Sequence, residues 1–247
     1  MTKKKNDENL PATTGGSLIT TELAALRDTE ALAEVMRANM GESGVGASMS
    51  ALEKIKVPSG DVPVYVTEDE IDGVNSIKEF EAAVCWFVDR RLWWEESMED
   101  GGGGSPPNCV STDLRTGVGQ PGGDCAACPH NRFGSAPDES LPWCQERRQM
   151  FLLRTENKDT VFPSVLSIPP TSLKSVRRYM MSLAGRGLAY FAALHRFSLD
   201  TAKNAKGQTY ATVKMSLGRR LEPGEVAALK GYAETMTATF TAAADSV

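Results

Sequence analysis

Cys109, Cys125, Cys128 and Cys144 follow the spacing C-x15-C-x2-C-x15-C, a Cys-x-x-Cys knuckle with one further cysteine set symmetrically on each side. Four thiolates complete a closed tetrahedral site, the arrangement of structural zinc. The surrounding segment suits that role, because Pro107, Gly117, Gly119, Pro121, Gly122, Gly123, Pro129, Gly134 and Pro137 leave too little apolar surface for it to fold unaided. Metal binding would then supply the folding free energy, so one structural Zn2+ is the expected cofactor. Two alternatives stand beside it: a Cys-x-x-Cys redox pair, which wants a thioredoxin-like strand and helix context that is absent, and four unrelated thiols. His130 could replace one cysteine, although its place just after the knuckle better suits a supporting or surface role. Cys85, between Val84 and Trp86, reads as a small core residue.

A catalytic zinc is not supported. Zinc deaminases place a His-x-Glu upstream of their cysteine pair, whereas both histidines, His130 and His195, follow Cys125 and Cys128. A zinc nuclease is weakly suggested by His130-Asn131, but needs further histidines near the metal. There is no Gly-x-x-x-x-Gly-Lys-Ser/Thr phosphate loop, no Gly-x-Ser-x-Gly elbow and no acidic cluster at ligand spacing. Glu95, Glu96, Glu99 and Asp100 adjoin a Gly-rich loop and read as a solvated face. The protein is not expected to be an enzyme.

The second chemistry is charge. The chain of 247 residues has 27 Lys+Arg against 32 Asp+Glu, a net −5, yet residues 147–220 carry 14 basic and only 3 acidic side chains. A basic block of net +11 thus lies inside an acidic protein. Alternation sets several of its residues on polar strand faces: Tyr190 and Arg196 opposite a core series of Phe191, Ala193, Phe197 and Leu199, and Tyr210 and Lys214 opposite Thr209, Ala211, Val213, Met215 and Leu217. With Arg91, Trp93, Arg148 and Arg154, they form an expected surface of cations interleaved with aromatic rings. Single-stranded nucleic acid calls for that pairing, since cations follow phosphates and flat side chains stack on bases of any sequence. Lys174, Arg177 and Arg178 extend the path or contact a partner. The acidic parts on either side could compete with a strand for the basic face.

These residues need a scaffold. Residues 1–18 read as a disordered tail, and Leu23, Ala24, Leu26, Ala31, Leu32, Val35 and Met36 recur at helical spacing, as a packed helix or a dimer handle. Leu52 to Val66 suits minor strands. Ala83–Trp94 reads as a long strand with Val84, Trp86, Val88, Leu92 and Trp94 on one face and Arg91 and Trp93 on the other. Gly101–Gly104 marks a loose excursion before the cysteines. Strands follow over Arg148–Arg154 and Val161–Ile168, then a helix over Leu173–Ala184 capped by Thr171 or Ser172, strands over Ala189–Leu199 and Gln208–Leu217, and a C-terminal helix from Glu222 to about Phe240.

The expected fold is mainly β with α additions (α+β): a five-stranded oligonucleotide-binding (OB) barrel with an inserted four-cysteine zinc module and flanking helices. Residues 19–76 form the helical N-terminal region and linker, 77–221 the OB-like domain with the zinc module at 105–146, and 222–247 the C-terminal helix and tail. No run approaches the ~18 apolar residues of a membrane span, and the start lacks a secretory signal, so a cytoplasmic location is expected.

The runs Cys109-Val-Ser-Thr-Asp113, Pro121-Gly-Gly-Asp-Cys-Ala-Ala-Cys-Pro-His-Asn-Arg-Phe-Gly-Ser135, Cys144-Gln-Glu-Arg-Arg-Gln-Met-Phe-Leu-Leu153 and Leu166-Ser-Ile-Pro-Pro-Thr-Ser-Leu-Lys174 resemble a group of bacteriophage single-stranded DNA-binding proteins. The chain is also similar in plan, though not in motif, to the zinc-containing helix-destabilising proteins of T4-like phages, which insert a zinc module into an OB barrel. The resemblance covers roughly residues 80–220. It implies a non-catalytic protein that coats exposed single strands during phage DNA replication or recombination in the host cytoplasm, with replisome or recombination proteins as further partners. Ala242-Ala-Ala-Asp-Ser-Val247 departs from the family in lacking its long acidic tail. Two other readings remain: a zinc-stabilised adaptor that binds a protein through the basic face, and a DNA-processing nuclease.

Overall fold

A computed structural model describes residues 52–58, 62–69, 73–95, 106–156 except 138 and 140, 160–204 and 207–244, with residues 34, 35, 38 and 39. The expected tail over 1–18, most of the N-terminal helical series and the Gly101–Gly104 excursion lie outside the described residues.

Three short strands come first, β1 (Lys54–Lys56), β2 (Tyr65–Asp69) and β3 (Gly73–Ile77), followed by the long β4 (Glu79–Trp93). The cysteine segment holds β5 (Cys109–Ser111), β6 (Thr116–Gly119), β7 (Gly123–Asp124) and a 3-10 turn over Pro129–Asn131. Then come β8 (Gln145–Arg154), β9 (Ser164–Ile168), helix α1 (Pro170–Ala184), the hairpin of β10 (Ala193–Lys203) and β11 (Thr209–Arg220), and helix α2 (Pro223–Ala244). The protein is thus mainly β with two long helices among the described residues.

The expected barrel is corrected to an open sheet, ordered β3-β2-β1-β9-β8-β4-β5-β6-β7 with the β10–β11 hairpin branching from β4. β4 is long enough to hold two partners on one edge, β10 along Glu79–Ala83 and β5 along Arg91–Trp93, while β8 takes the other edge. Closing an OB barrel would require β9 to meet β11. The edge of β9 is instead occupied by β1, in parallel, with Lys54 beside Val165 and Ile55 beside Leu166. A strand from within Leu52 to Val66, the stretch expected to hold minor strands, therefore blocks closure.

Both faces of this sheet are covered. On one, Ile55, Tyr65, Phe80, Val84, Met150, Leu152, Leu166, Phe197 and Val213 pack with Leu173 and Val176 of α1. On the other, Ala83, Cys85, Phe151 and Leu194 pack with Leu229, Tyr232, Met236 and Phe240 of α2, whose spacing sets them along one helix face. Cys85 is buried, in keeping with its reading as a core residue. Burial of these two layers is the main stabilising term.

Two sequence readings are corrected by local backbone. A β-bulge between Val84 and Trp86 shifts the register against β8, so Val84 faces the α1 core while Trp86 and Val88 pack toward the α2 core. An extra residue in one strand reverses the period-two pattern beyond it. Phe191, expected in line with Phe197, sits in a 3-10 turn (Tyr190–Ala192) and packs on the opposite layer. α1 starts on Pro170 at its first turn without a side-chain cap; Ser172 lies inside the helix and its Oγ accepts the Val213 N–H at 2.9 Å, tying α1 to β11.

Candidate functional site

β5 brings the cysteine segment to the far end of β4, pairing Trp93 with Cys109 and Arg91 with Ser111. Asp113 then builds a turn, accepting from the Ser111 hydroxyl and from the N–H groups of Arg115 and Thr116 at 2.7–2.9 Å. Those bonds hold its carboxyl well below the usual carboxylate range. Asp124 accepts the Ala126 N–H at 2.9 Å and so starts the Cys-x-x-Cys turn. Asn131 donates to the Cys125 carbonyl at 2.7 Å, and Cys144 N–H donates to the His130 carbonyl at 2.8 Å.

These bonds set Cys109, Cys125, Cys128 and Cys144 around one cavity of about 10 Å³, with Arg91, Trp93 and His130 also in its wall. That is room for about one water-sized particle. All four thiols are free. Burial pushes the Cys144 thiol up to about 11, with Cys125, Cys128 and Cys109 pushing the same way against Arg91. Gly117 is required here, because a Cβ would stand 2.8 Å from the Cys109 Sγ. Among the described residues, however, no three His, Cys, Asp or Glu side chains are grouped as a formed metal site. The imidazole of His130 stacks on Trp93 at 4.3 Å and meets Trp143 edge-on at 5.5 Å.

Four of the eight residues expected along a nucleic-acid path serve as internal braces. Arg91 bonds Asn131 and Glu146, linking β4 to the cysteine segment. Trp93 is 7% exposed beneath His130 and presents no open ring. Arg148 makes a two-armed bond to Asp89 at 2.7 and 2.8 Å and lies 4.0 Å over the Phe87 ring. Arg154 bonds Glu53 at 2.6 Å and Ser164 at 3.3 Å. The alternation placed these arginines on a polar face, but on that face acids from other strands and from the N-terminal region meet them, Glu146, Asp89 and Glu53. Tyr190 is half-buried, its ring edge-on to Phe87 and Phe191.

The remaining three come together on the outward face of the β10–β11 hairpin, where Arg196 pairs with Ser216, Ser198 with Lys214 and Ala202 with Tyr210. Asp200 shares that face, and Arg196 meets Glu81 at 3.2 Å. Lys214 is exposed and Tyr210 half-buried. Beyond them, Lys174, Arg178, Arg186, Lys203 and Arg220 are exposed and, among the described residues, carry no ion pair. Phe133, 79% exposed on the cysteine segment next to exposed Arg132, escaped the sequence reading because no periodicity marks a loop aromatic.

No protein-family model, no curated protein and no solved structure matches the chain. Among the described residues, no helix is long and apolar enough to cross a membrane.

Proposed function

We propose that the protein binds single-stranded DNA without sequence preference, as a coat protein of phage replication or recombination, and that Cys109, Cys125, Cys128 and Cys144 hold one structural zinc. The observation that carries the strand reading is the fate of the basic block. Arg148, Arg154, Arg177 and Arg219 are used up in ion pairs, yet Lys174, Arg178, Arg186, Lys203, Lys214 and Arg220 remain exposed without an acidic partner among the described residues. Exposed cations of one sign attract a polyanion and release its counterions. The path runs over the hairpin face through Arg196, Lys214 and Tyr210, with Phe133 as an open ring for base stacking. The zinc reading rests on four free thiols around one cavity and on the glycine that makes room for the Cys109 sulfur. Bound zinc would supply cross-links for a segment poor in apolar contacts, and no chemistry on substrate.

The test is fluorescence anisotropy of a labelled poly-dT oligonucleotide at several salt concentrations, with a duplex control and zinc assayed on the same sample. Preferential single-strand binding whose log affinity falls linearly with log salt is expected, at about 0.7 per phosphate contacted. Binding to protein alone, insensitive to salt, would favour an adaptor instead.

A further inference from the structure

We propose that Arg90 and Arg147 form a phosphate-binding site, two guanidinium groups facing each other across β4 and β8 that grip one phosphate group. The two residues are direct register partners in the antiparallel pair. Their side chains therefore share a face, with Cβ atoms about 5 Å apart, where two like charges repel. They stand on the side of the sheet opposite Arg148, because Val88, two residues before Arg90, packs toward the α2 core while Phe87 packs toward the α1 core.

Every other half-buried or buried arginine among the described residues has an acidic partner: Arg91 with Glu146, Arg148 with Asp89, Arg154 with Glu53 and Arg177 with both Asp89 and Glu146. Arg90 and Arg147 have none among the described residues. Arg147 donates one arm to the neutral Gln145 side chain at 2.7 Å. The Nε atoms of both are buried without an acceptor. Both side chains are half-buried, and that burial depresses the pKa of each guanidinium. A desolvated, unpaired like-charge pair costs stability, and an acceptor-rich anion between the forks would remove that cost. Arginine's planar fork matches the oxygens of a phosphate, and neighbouring Gln145 and Gln149 supply amide groups without negative charge. Four residues along the same face, Trp86 and Phe151 stack at 4.3 Å.

The phosphate could be carried in a strand backbone or as a free phosphate group; only the first source rests on the single-strand reading. The experiment compares melting temperatures of the full chain in chloride and in inorganic phosphate at matched ionic strength, for wild type, R90Q, R147Q and the exposed control R115Q. R90K and R147K serve as second variants that keep the charge and lose the fork. Phosphate at a hundredfold excess over its dissociation constant is expected to raise the melting temperature of wild type and R115Q by roughly 5 °C, and that of the Arg90 and Arg147 variants by much less. No response in wild type, or equal responses in all variants, overturns the site. A parallel poly-dT titration separates the sources. Binding whose salt slope drops by about 0.7 in R147Q places a backbone phosphate there. A phosphate response in a protein that ignores poly-dT keeps the site, assigns it to a free phosphate group and discards the strand reading.

Discussion

Asp89 holds two arginines from different elements, Arg148 of β8 at 2.7 Å and Arg177 of α1 at 3.7 Å. Burial alone would raise its pKa; the bonds and charges of the two arginines overcome that and hold the carboxyl below its usual value. Asp89→Asn leaves Arg148 buried without its counter-charge, and an expected loss of about 3 kcal/mol or more in denaturant unfolding checks it. A second residue sets a pH dependence. His195 is fully buried, its Nε2 donating to the Tyr190 carbonyl at 2.6 Å, so its Nδ1 accepts from the Tyr179 hydroxyl at 2.6 Å. Burial lowers its pKa below 6.5, with the carbonyl bond opposing. A folded pKa below the unfolded one means that the unfolded chain binds more protons, so this contribution is complete above about pH 6.5 and shrinks as the pH falls. Urea midpoints at pH 7.5 and 5.5 should therefore drop for wild type, and by less for His195→Gln. An equal drop in both would remove His195 as the cause.

At the scale of elements, α2 and the cysteine segment make the clearest predictions. Glu225 at the first turn of α2 accepts the Glu222 N–H at 2.9 Å and both arms of Arg219 at 2.7 Å, although it is only 4% exposed. Glu225→Ala uncaps the helix and leaves Arg219 unpaired, for an expected cost of about 1–2 kcal/mol in thermal or denaturant unfolding. In the cysteine segment, Cys128→Ser should lower both zinc content and melting temperature, and Gly117→Ala should lower zinc retention by crowding Cys109; unchanged stoichiometry in Cys128→Ser contradicts the ligand set. Element order from residue 79 onward was legible because apolar alternation, Pro-Pro and Gly breaks mark strand and helix ends. Face assignment was not. One bulge at Val84/Trp86 reversed a pattern that alternation alone could not see, and the 3-10 turn before Ala193 did the same for Phe191. The cysteine constellation was readable because spacing is a local property. The braces of Arg91, Arg148 and Arg154 depend on acids 50 or more residues away, such as Asp89 for Arg148 and Glu53 for Arg154, and no local pattern reports them.

For the whole molecule, the open sheet decides where a partner can bind. With β1 on the edge of β9 and helices on both faces, the exposed part of the basic block is displaced to the β10–β11 hairpin and α1. A chain of bonds also runs from α1 to the cysteine segment: Arg177 to Glu146, Glu146 to Arg91, Arg91 to Asn131, and Asn131 to the Cys125 carbonyl. That chain couples the knuckle to the sheet, so zinc removal is expected to lower the melting temperature of the whole protein rather than release one loop. Strand binding by the basic face is best tested by the poly-dT anisotropy titration across salt, on zinc-assayed protein, with Lys214→Gln and Arg178→Gln alongside. Single-strand preference, a steep linear fall of log affinity with log salt, and a slope reduced by about 0.7 for each lost phosphate contact are expected. Absence of binding at low salt by the folded, zinc-loaded protein would contradict strand binding.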